Sequence, residues 1–219
     1  MGDSVRKIIL LLLLYSFCAG CGDNECRHQS KNLTLDTTYS GWFANAENGV
    51  YKETRSAKGL SESLYLSRYK GTSSLSPPAD PCISYNSEEN ALYYNSYLYN
   101  FQFSFRVVQE RDAPYFVCQV TDYNGAYGYA QMKRNLTTGK QYPITVQTRS
   151  YLDSVTSYMS DINIIDSLIL PQRTYYNIYK ITNGFFKDHA GNFSIIEFYL
   201  DKNEGLVQFK QKNGDTWNF

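Results

Sequence analysis

The sequence predicts one antiparallel all-β domain, either a sandwich or a curved half-barrel. Among 219 residues there are 21 Tyr and 12 Phe, and aromatic side chains fit pleated, half-buried surfaces better than helices. Several short segments alternate between apolar and polar residues, which is the period of a sheet with one buried face. Turn signals separate these segments, so each strand is expected to pair with its neighbour in the sequence.

The clearest predicted strand spans residues 101–107. Its apolar side chains alternate with Gln102, Ser104 and Arg106, so one face is expected to be buried and the other wet. A second alternating segment covers residues 63–69, where Leu64, Leu66 and Arg68 face one way and Tyr65, Ser67 and Tyr69 the other. The apolar face of the first strand consists of Phe101, Phe103, Phe105 and Val107.

Turn and loop signals divide the rest of the chain. Asn-Gly pairs at Asn48, Asn124 and Asn213 favour tight turns. Residues 71–83 contain Pro77, Pro78 and Pro81 among serines, and a loop is predicted there. Further strands are predicted at 115–120, 142–146, 164–170 and 175–181. Residues 150–161 remain open between helix and strand, because Tyr151, Val155 and Met159 are spaced four apart among helix-disfavouring Ser and Thr.

The C-terminal region is predicted to be the most regular part of the sheet, a meander in which each strand pairs with the next one in the sequence. Strands are expected at 193–200 and 206–209, separated by turn residues, and Trp217 and Phe219 share one face of a final strand. Because that strand reaches Phe219, the C-terminus is expected to be docked in the sheet.

The first twenty residues have the pattern of an export signal. Arg6 and Lys7 precede an apolar run from Ile8 to Phe17, and Ala19 and Gly20 follow as small residues. This order is typical of a secretory signal peptide, and the run is about half the roughly 20 residues that a membrane-spanning helix needs. The predicted organisation is a signal peptide at 1–20, a flexible tether at 21–39 and the β domain at 40–219.

The segment Cys18-Ala19-Gly20-Cys21 resembles the bacterial lipobox. That resemblance implies cleavage before Cys21 and acylation of its sulfur, which would attach the protein to a membrane. The sequence departs from the pattern at Cys18, where Leu is usual. The alternative is an ordinary signal peptide with Cys21 left as a thiol. Asp23 and Glu25 resemble the surface-export signal of Bacteroidota lipoproteins, and they equally suit a solvated tether.

The C-terminal strands resemble those of small Tyr-rich lipoproteins of Bacteroidota. The resemblance covers Glu197–Phe209, the turn and strand Asn213–Trp217, and Tyr175–Tyr179 upstream. It implies an antiparallel β domain at the outer membrane or cell surface and implies little about activity.

The charge balance and the cysteines of the sequence bear on nucleic-acid binding, on disulfide formation and on metal binding. The 21 basic and 21 acidic side chains balance without a block of one sign, so no nucleic-acid partner is predicted. Export would place Cys26, Cys82 and Cys118 in an oxidising compartment. Cys82 and Cys118 are the predicted disulfide pair, and three free thiols are the alternative. No cysteine spacing resembles a zinc site, and neither a metal nor a cofactor is predicted.

Catalytic residues are not apparent in the sequence. His28 lies in the predicted tether and His189 in a turn-like stretch, and neither has the partners of a catalytic base. Phosphate-binding, HExxH and GxSxG motifs are absent from the sequence. The domain is therefore predicted to be non-enzymatic. The acids Glu88, Glu89, Glu197 and Asp201 are candidates only by residue type for a carboxylate hydrolase.

Clustered tyrosines before the Phe strand give the remaining functional signal. Tyr94, Tyr97 and Tyr99 are predicted as tentative ligand-binding residues, with Tyr97 and Tyr99 on the odd-numbered face and Tyr94 on the other. Packing into the core would explain the odd-numbered face equally well. The sequence thus predicts a lipid-anchored envelope protein with a binding or structural role. The alternatives are a glycan- or lipid-binding module and a hydrolase. The binding partner could also be a protein.

Overall fold

A computed structural model describes residues 29–75, 83–97, 100–122, 127–148, 152–155, 160–184 and 195–219. The predicted signal peptide, Cys21, Cys26, Cys82, Tyr99, the Asn124-Gly125 turn and His189 lie outside these ranges. Within the described ranges, no helix is long and apolar enough to cross a membrane.

The described chain is almost entirely antiparallel strand and confirms the predicted all-β class. The N-terminal part contains β1 (Gln29–Leu33), α1 (Thr37–Ser40), β2 (Val50–Ser56), β3 (Ser61–Leu75), β4 (Ile83–Ser96), β5 (Phe101–Gln109), β6 (Pro114–Asp122), β7 (Tyr127–Asn135), β8 (Ile144–Thr148) and β9 (Leu152–Val155). The C-terminal part contains β10 (Ser160–Ile169), β11 (Thr174–Asn183), β12 (Ile195–Asp201), β13 (Gly205–Gln211) and β14 (Thr216–Asn218).

These strands form one large open sheet that does not close into a barrel. Its order is β10-β11-β12-β13-β14-β2-β3-β4-β5-β6-β7-β8-β9, and β1 pairs in parallel with β4 beside this path. Two meanders therefore meet where β14 pairs with β2. As predicted, the C-terminal strand is docked, since Trp217 lies opposite Phe209 on one side and Ser56 on the other.

The sheet curls so that its two halves pack face to face. The ring centroids of Phe103 on β5 and Phe198 on β12 lie 5.4 Å apart, and Phe209 lies 5.9 Å from Phe103. The predicted face Phe101, Phe103, Phe105 and Val107 is buried, as are Leu64 and Leu66 of β3. The alternation in the sequence therefore identified the concave, core-facing side of both strands.

The described parts of the predicted loop and of the undecided segment are strands, while residues 76–82, 150–151 and 156–159 lie outside the described residues. β3 extends to Leu75, so the strand includes the first part of the region 71–83 that was predicted to be a loop. In the undecided region 150–161, Leu152–Val155 and the start of β10 are strands. Backbone pairing with β8 and β11 overrides the weak helical spacing there.

The predicted tether is too long at its C-terminal end. Residues 29–33 form β1 on β4, and Leu35 is buried while its N–H donates to Glu88 Oε2 at 3.0 Å. After α1, the buried rings of Trp42 and Phe43 enter the core, and Trp42 packs against Phe116 and Tyr179. Residues 35–46 thus contribute buried side chains to the core, and the residues from Gln29 onward belong to the β domain.

Candidate functional site

The outward face of β2, β3 and β4 carries a group of tyrosines, named here the outer tyrosine surface. Tyr51 on β2 pairs with Tyr65 on β3, and their ring centroids lie 5.2 Å apart. Tyr69 and Tyr93 continue the same face, because Tyr69 pairs with Ala91 and Tyr93 with Ser67. The fifth member is Tyr97, in the turn after β4. Exposure is 66% for Tyr51 and 68% for Tyr97.

Strand periodicity explains why these rings point outward. On β3 the side chains of Leu64 and Leu66 fill the core, so the odd-numbered Tyr65 and Tyr69 must emerge on the opposite face. Residues paired across antiparallel strands share a face, and this rule brings Tyr51 to the same side as Tyr65. The surface is therefore a direct product of the alternation that also builds the core.

A cleft of about 360 Å³ opens at one end of the outer tyrosine surface. It lies where the β2–β3 turn and the residues following β4 come together. Two tyrosines, two serines and two glutamates line it, a mixture that suits a ligand with both flat apolar and hydroxyl-bearing parts. The lining residues are Tyr51, Glu53, Ser61, Glu62, Ser63 and Tyr97.

Glu62 borders this cleft, but its carboxyl lies on the face of the sheet opposite to the tyrosines. Its side chain belongs to the core-facing row of β3, and the residue is only 6% exposed. The Ser96 hydroxyl donates a hydrogen bond to Oε1, whereas Oε2 is buried without a hydrogen-bond partner. Burial raises the pKa of Glu62 to about 7, an effect that the bond from Ser96 only partly offsets. A substantial fraction of this carboxyl is therefore protonated at neutral pH.

An ion pair anchors the far end of the outer tyrosine surface. Arg106 Nη1 lies 3.9 Å from Glu89 Oε2, and Ser73 Oγ donates to the same carboxylate oxygen at 3.3 Å. Burial raises the pKa of the neighbouring Tyr93, and the Glu89 charge adds to the increase. The ion pair links β4 to β5 beneath the tyrosines, while Arg106 Nε is buried without a hydrogen-bond partner.

A larger groove of about 510 Å³ lies across β1, β3 and β4 on the other face. Lys70, Thr72 and Asn86 line it together with Glu88, which already accepts the Leu35 N–H. Asn86 Nδ2 donates to Ser30 Oγ at 2.8 Å and to Asn32 Oδ1 at 3.0 Å. Asn86 and Glu88 already have hydrogen-bond partners, and no aromatic ring occurs among the described residues that line this groove, so we regard the cleft as the better candidate.

The structure separates the three tyrosines that were predicted to bind a ligand. Tyr94 is 1% exposed, its ring stacks on Phe103 with centroids 5.0 Å apart, and its hydroxyl accepts the Leu206 N–H at 2.8 Å. Its assignment as a ligand-binding residue is therefore wrong, because even-numbered residues of β4 face the core. Tyr97 is exposed at the cleft, and Tyr99 lies outside the described residues.

The four candidate acids do not form a common site. Glu88 and Glu89 are adjacent on β4, so their side chains leave opposite faces of the sheet. Glu197 on β12 is held by Lys180 Nζ at 3.2 Å and Lys210 Nζ at 3.4 Å. Asp201 caps a turn by accepting the backbone N–H groups of Asn203 and Glu204. Each of these carboxylates therefore has a structural role of its own.

Cys118 lies fully buried on β6 as a free cysteine. Burial raises the pKa of its thiol well above the usual range, which makes the thiolate scarce. Its predicted disulfide partner, Cys82, and the predicted lipidation site, Cys21, both lie outside the described residues.

Five of the six residues that line the cleft were not identified as site residues from the sequence, which named only Tyr97. The alternation had placed Tyr65 on the face opposite Leu64, but only the pairing of β2 with β3 shows that Tyr51 joins it. Glu62 carries no signal of its own in the sequence, because its burial depends on the curl of the sheet.

The chain was compared with protein families, curated proteins and solved structures. No protein-family profile, curated protein or solved structure matches the chain.

Proposed function

We propose that this chain is a non-enzymatic cell-envelope lipoprotein whose β domain binds carbohydrate at the outer tyrosine surface. The lipobox-like segment before Cys21 and the resemblance of the C-terminal strands to Bacteroidota lipoproteins support the envelope location. In this proposal the lipid on Cys21 holds the domain at the outer membrane or cell surface.

The observation that carries the binding proposal is the exposure of Tyr51 and Tyr97 beside a hydroxyl-lined cleft. Exposed apolar groups that cluster on one face generally mark an interaction surface. Tyrosine combines a flat apolar ring with a polar hydroxyl, so it can stack on a sugar ring and also bind its hydroxyls. Ser61, Ser63 and Glu53 add further hydrogen-bonding groups within the same cleft.

Isothermal titration with neutral oligosaccharides tests this role. The probes are maltohexaose, cellohexaose and mannohexaose, added to the mature domain. We expect at least one to bind, and the double variant Tyr51→Ala/Tyr97→Ala to bind about tenfold more weakly, corresponding to about 1.4 kcal/mol. The loss follows from removing two exposed ring faces, each worth about 0.5–1.5 kcal/mol in an aromatic contact.

Tyr176→Ala is the matched control for this experiment. Tyr176 lies on β11 and is 68% exposed, the same value as Tyr97, but it is remote from the cleft lining. Its affinity is expected to equal that of the unmodified domain. Equal affinities for the double variant and the unmodified domain, or no binding of any probe, would contradict the proposed function.

A further inference from the structure

The tyrosines of β3 and β4 form a regular row along these two strands. On the outer face, each ring on one strand lies opposite a smaller side chain on the other, in the pairs Tyr65–Asn95, Tyr93–Ser67 and Tyr69–Ala91. Successive rings therefore alternate between the strands, two residues apart. With a rise of about 3.3 Å per residue, Tyr65 and Tyr69 are about 13 Å apart, and Tyr93 lies midway between them. The row is long enough to contact several units of a linear ligand.

The ring of Tyr69 is held in place over a glycine at the end of the row remote from the cleft. Gly71 lies two residues further along the same face of β3, and a Cβ atom added there would be 2.5 Å from Tyr69 Oη and 2.7 Å from Cζ. The Tyr69 hydroxyl donates to the Thr72 carbonyl oxygen at 3.1 Å, yet the residue is 40% exposed. The glycine therefore lets the ring lie along the strand and present a fixed apolar surface to solvent, which lowers the entropic cost of stacking.

The direction and the polarity of the row restrict the ligand. The curl that brings Phe103 against Phe198 joins distant strands, so it bends the sheet across the strands, whereas the row runs along them. Tyr97 continues the row beyond Tyr65 and connects it to the cleft. The side chains between the rings include Ser67 and Asn95, which are polar and uncharged. The row therefore suits a long, straight and neutral ligand with many hydroxyl groups.

We infer that the ligand is an extended chain of neutral, β-1,4-linked hexoses that lies along this row, with Tyr69 stacking on a sugar at the end remote from the cleft. This inference rests on the proposed carbohydrate-binding function and deepens it. The sugar rings of a β-1,4-linked chain follow a nearly straight line, so successive sugars can contact successive tyrosines. An α-1,4-linked chain coils and would leave the row after the first contacts.

Isothermal titration with oligosaccharides of two linkages and two lengths tests the row. The β-1,4-linked probes are cellohexaose and mannohexaose, and maltohexaose is the α-1,4-linked probe. We expect the tighter of the two β-linked hexasaccharides to bind about tenfold more tightly than maltohexaose. The corresponding trisaccharide is too short to reach from the cleft to Tyr69. It is therefore expected to bind about tenfold more weakly than the hexasaccharide.

Three variants test the stacking role of Tyr69. Tyr69→Ala removes the ring and is expected to weaken hexasaccharide binding about fivefold, corresponding to about 1 kcal/mol for one aromatic contact. Gly71→Ala keeps the tyrosine but displaces its ring, because the new Cβ takes the space that the ring occupies, so a similar loss is expected. Tyr69→Phe keeps the ring and loses only the bond to Thr72, so its affinity is expected to stay within about twofold of that of the unmodified domain. Circular dichroism confirms that each variant is folded before titration.

Chain length provides the internal control, because Tyr69→Ala is expected to leave the affinity for the trisaccharide unchanged. Tyr176→Ala is expected to bind the hexasaccharide like the unmodified domain, since Tyr176 lies on β11, away from the row. An unchanged hexasaccharide affinity in Tyr69→Ala, or maltohexaose binding as tightly as the β-linked probes, would overturn the row as the binding site. The proposed function would still stand if binding depended on Tyr51 and Tyr97. Absence of binding of any hexasaccharide would overturn the proposed function and this inference together.

Discussion

The hydrogen bond between Tyr94 and Leu206 ties the two meanders together through the core. Tyr94 belongs to β4 and Leu206 to β13, and the Tyr94 hydroxyl accepts the Leu206 N–H at 2.8 Å with both residues buried. Replacing Tyr94 with Phe keeps the ring stacked on Phe103 and removes only this acceptor. The Leu206 N–H is then left buried without its partner, which costs about 1–3 kcal/mol.

Urea unfolding measures this cost directly. We expect Tyr94→Phe to lower the midpoint without changing the slope of the transition, because the surface exposed on unfolding stays the same. For a domain of this size, each 1 kcal/mol corresponds to a shift of about 2–4 °C in Tm. The thermal midpoint is therefore expected to fall by about 2–12 °C.

Tyr176→Phe provides the comparison, because it makes the same chemical change at a position that is 68% exposed. Its stability is expected to stay within about 0.5 kcal/mol of the unmodified domain. A loss below about 0.5 kcal/mol for Tyr94→Phe would refute the reasoning, since it would mean that the Leu206 N–H finds another partner at no cost.

Two further predictions concern Gly205, the first residue of β13, and the N-terminus. Gly205→Ala is expected to destabilise by about 2–5 kcal/mol in urea unfolding, because φ is +92° there and the added Cβ would lie 2.5 Å from Tyr94 Oη. Gly214→Ala, with φ +83° and open space around it, should lose only the backbone part, about 1–2 kcal/mol, and equal losses would contradict the steric argument. Mass spectrometry of the full-length protein expressed in a bacterium is expected to show an acylated N-terminal Cys21, and Cys21→Ser should release the protein from membranes. An unacylated mature protein, or one that retains residues 1–20, would exclude the anchor.

Local patterns predicted the strands well and the pairings between distant segments poorly. The alternation from Phe101 to Val107 identified a core-facing strand because its period is independent of context. The segment Gln29–Leu33 has no such period and was predicted to be part of a tether. It becomes a strand only through parallel pairing with residues 83–87, which are more than fifty positions away.

The candidate site was harder to predict because it depends on the relative faces of neighbouring strands. On β4 Tyr94, an even-numbered residue, faces the core, whereas on β5 the odd-numbered Phe103 does. The two residues are paired across the strands and therefore share the core face. The sequence therefore indicated a role for tyrosines but named only Tyr97 among those that the structure places at the cleft. The burial of Glu62 could not be predicted from the sequence, because it depends on the curl of the sheet.

The order of strands also has a consequence for how the chain folds. Along the main path of the sheet, every hydrogen-bonded pair of strands joins sequence neighbours except β14 with β2. Local hairpins close small loops at low entropic cost, whereas this pairing joins Trp217 to Ser56 through only two paired positions. Each meander is therefore expected to assemble early from its own hairpins, with the seam between them forming last. Slow refolding phases should report on Trp217, whose indole reaches its buried position only when that seam closes.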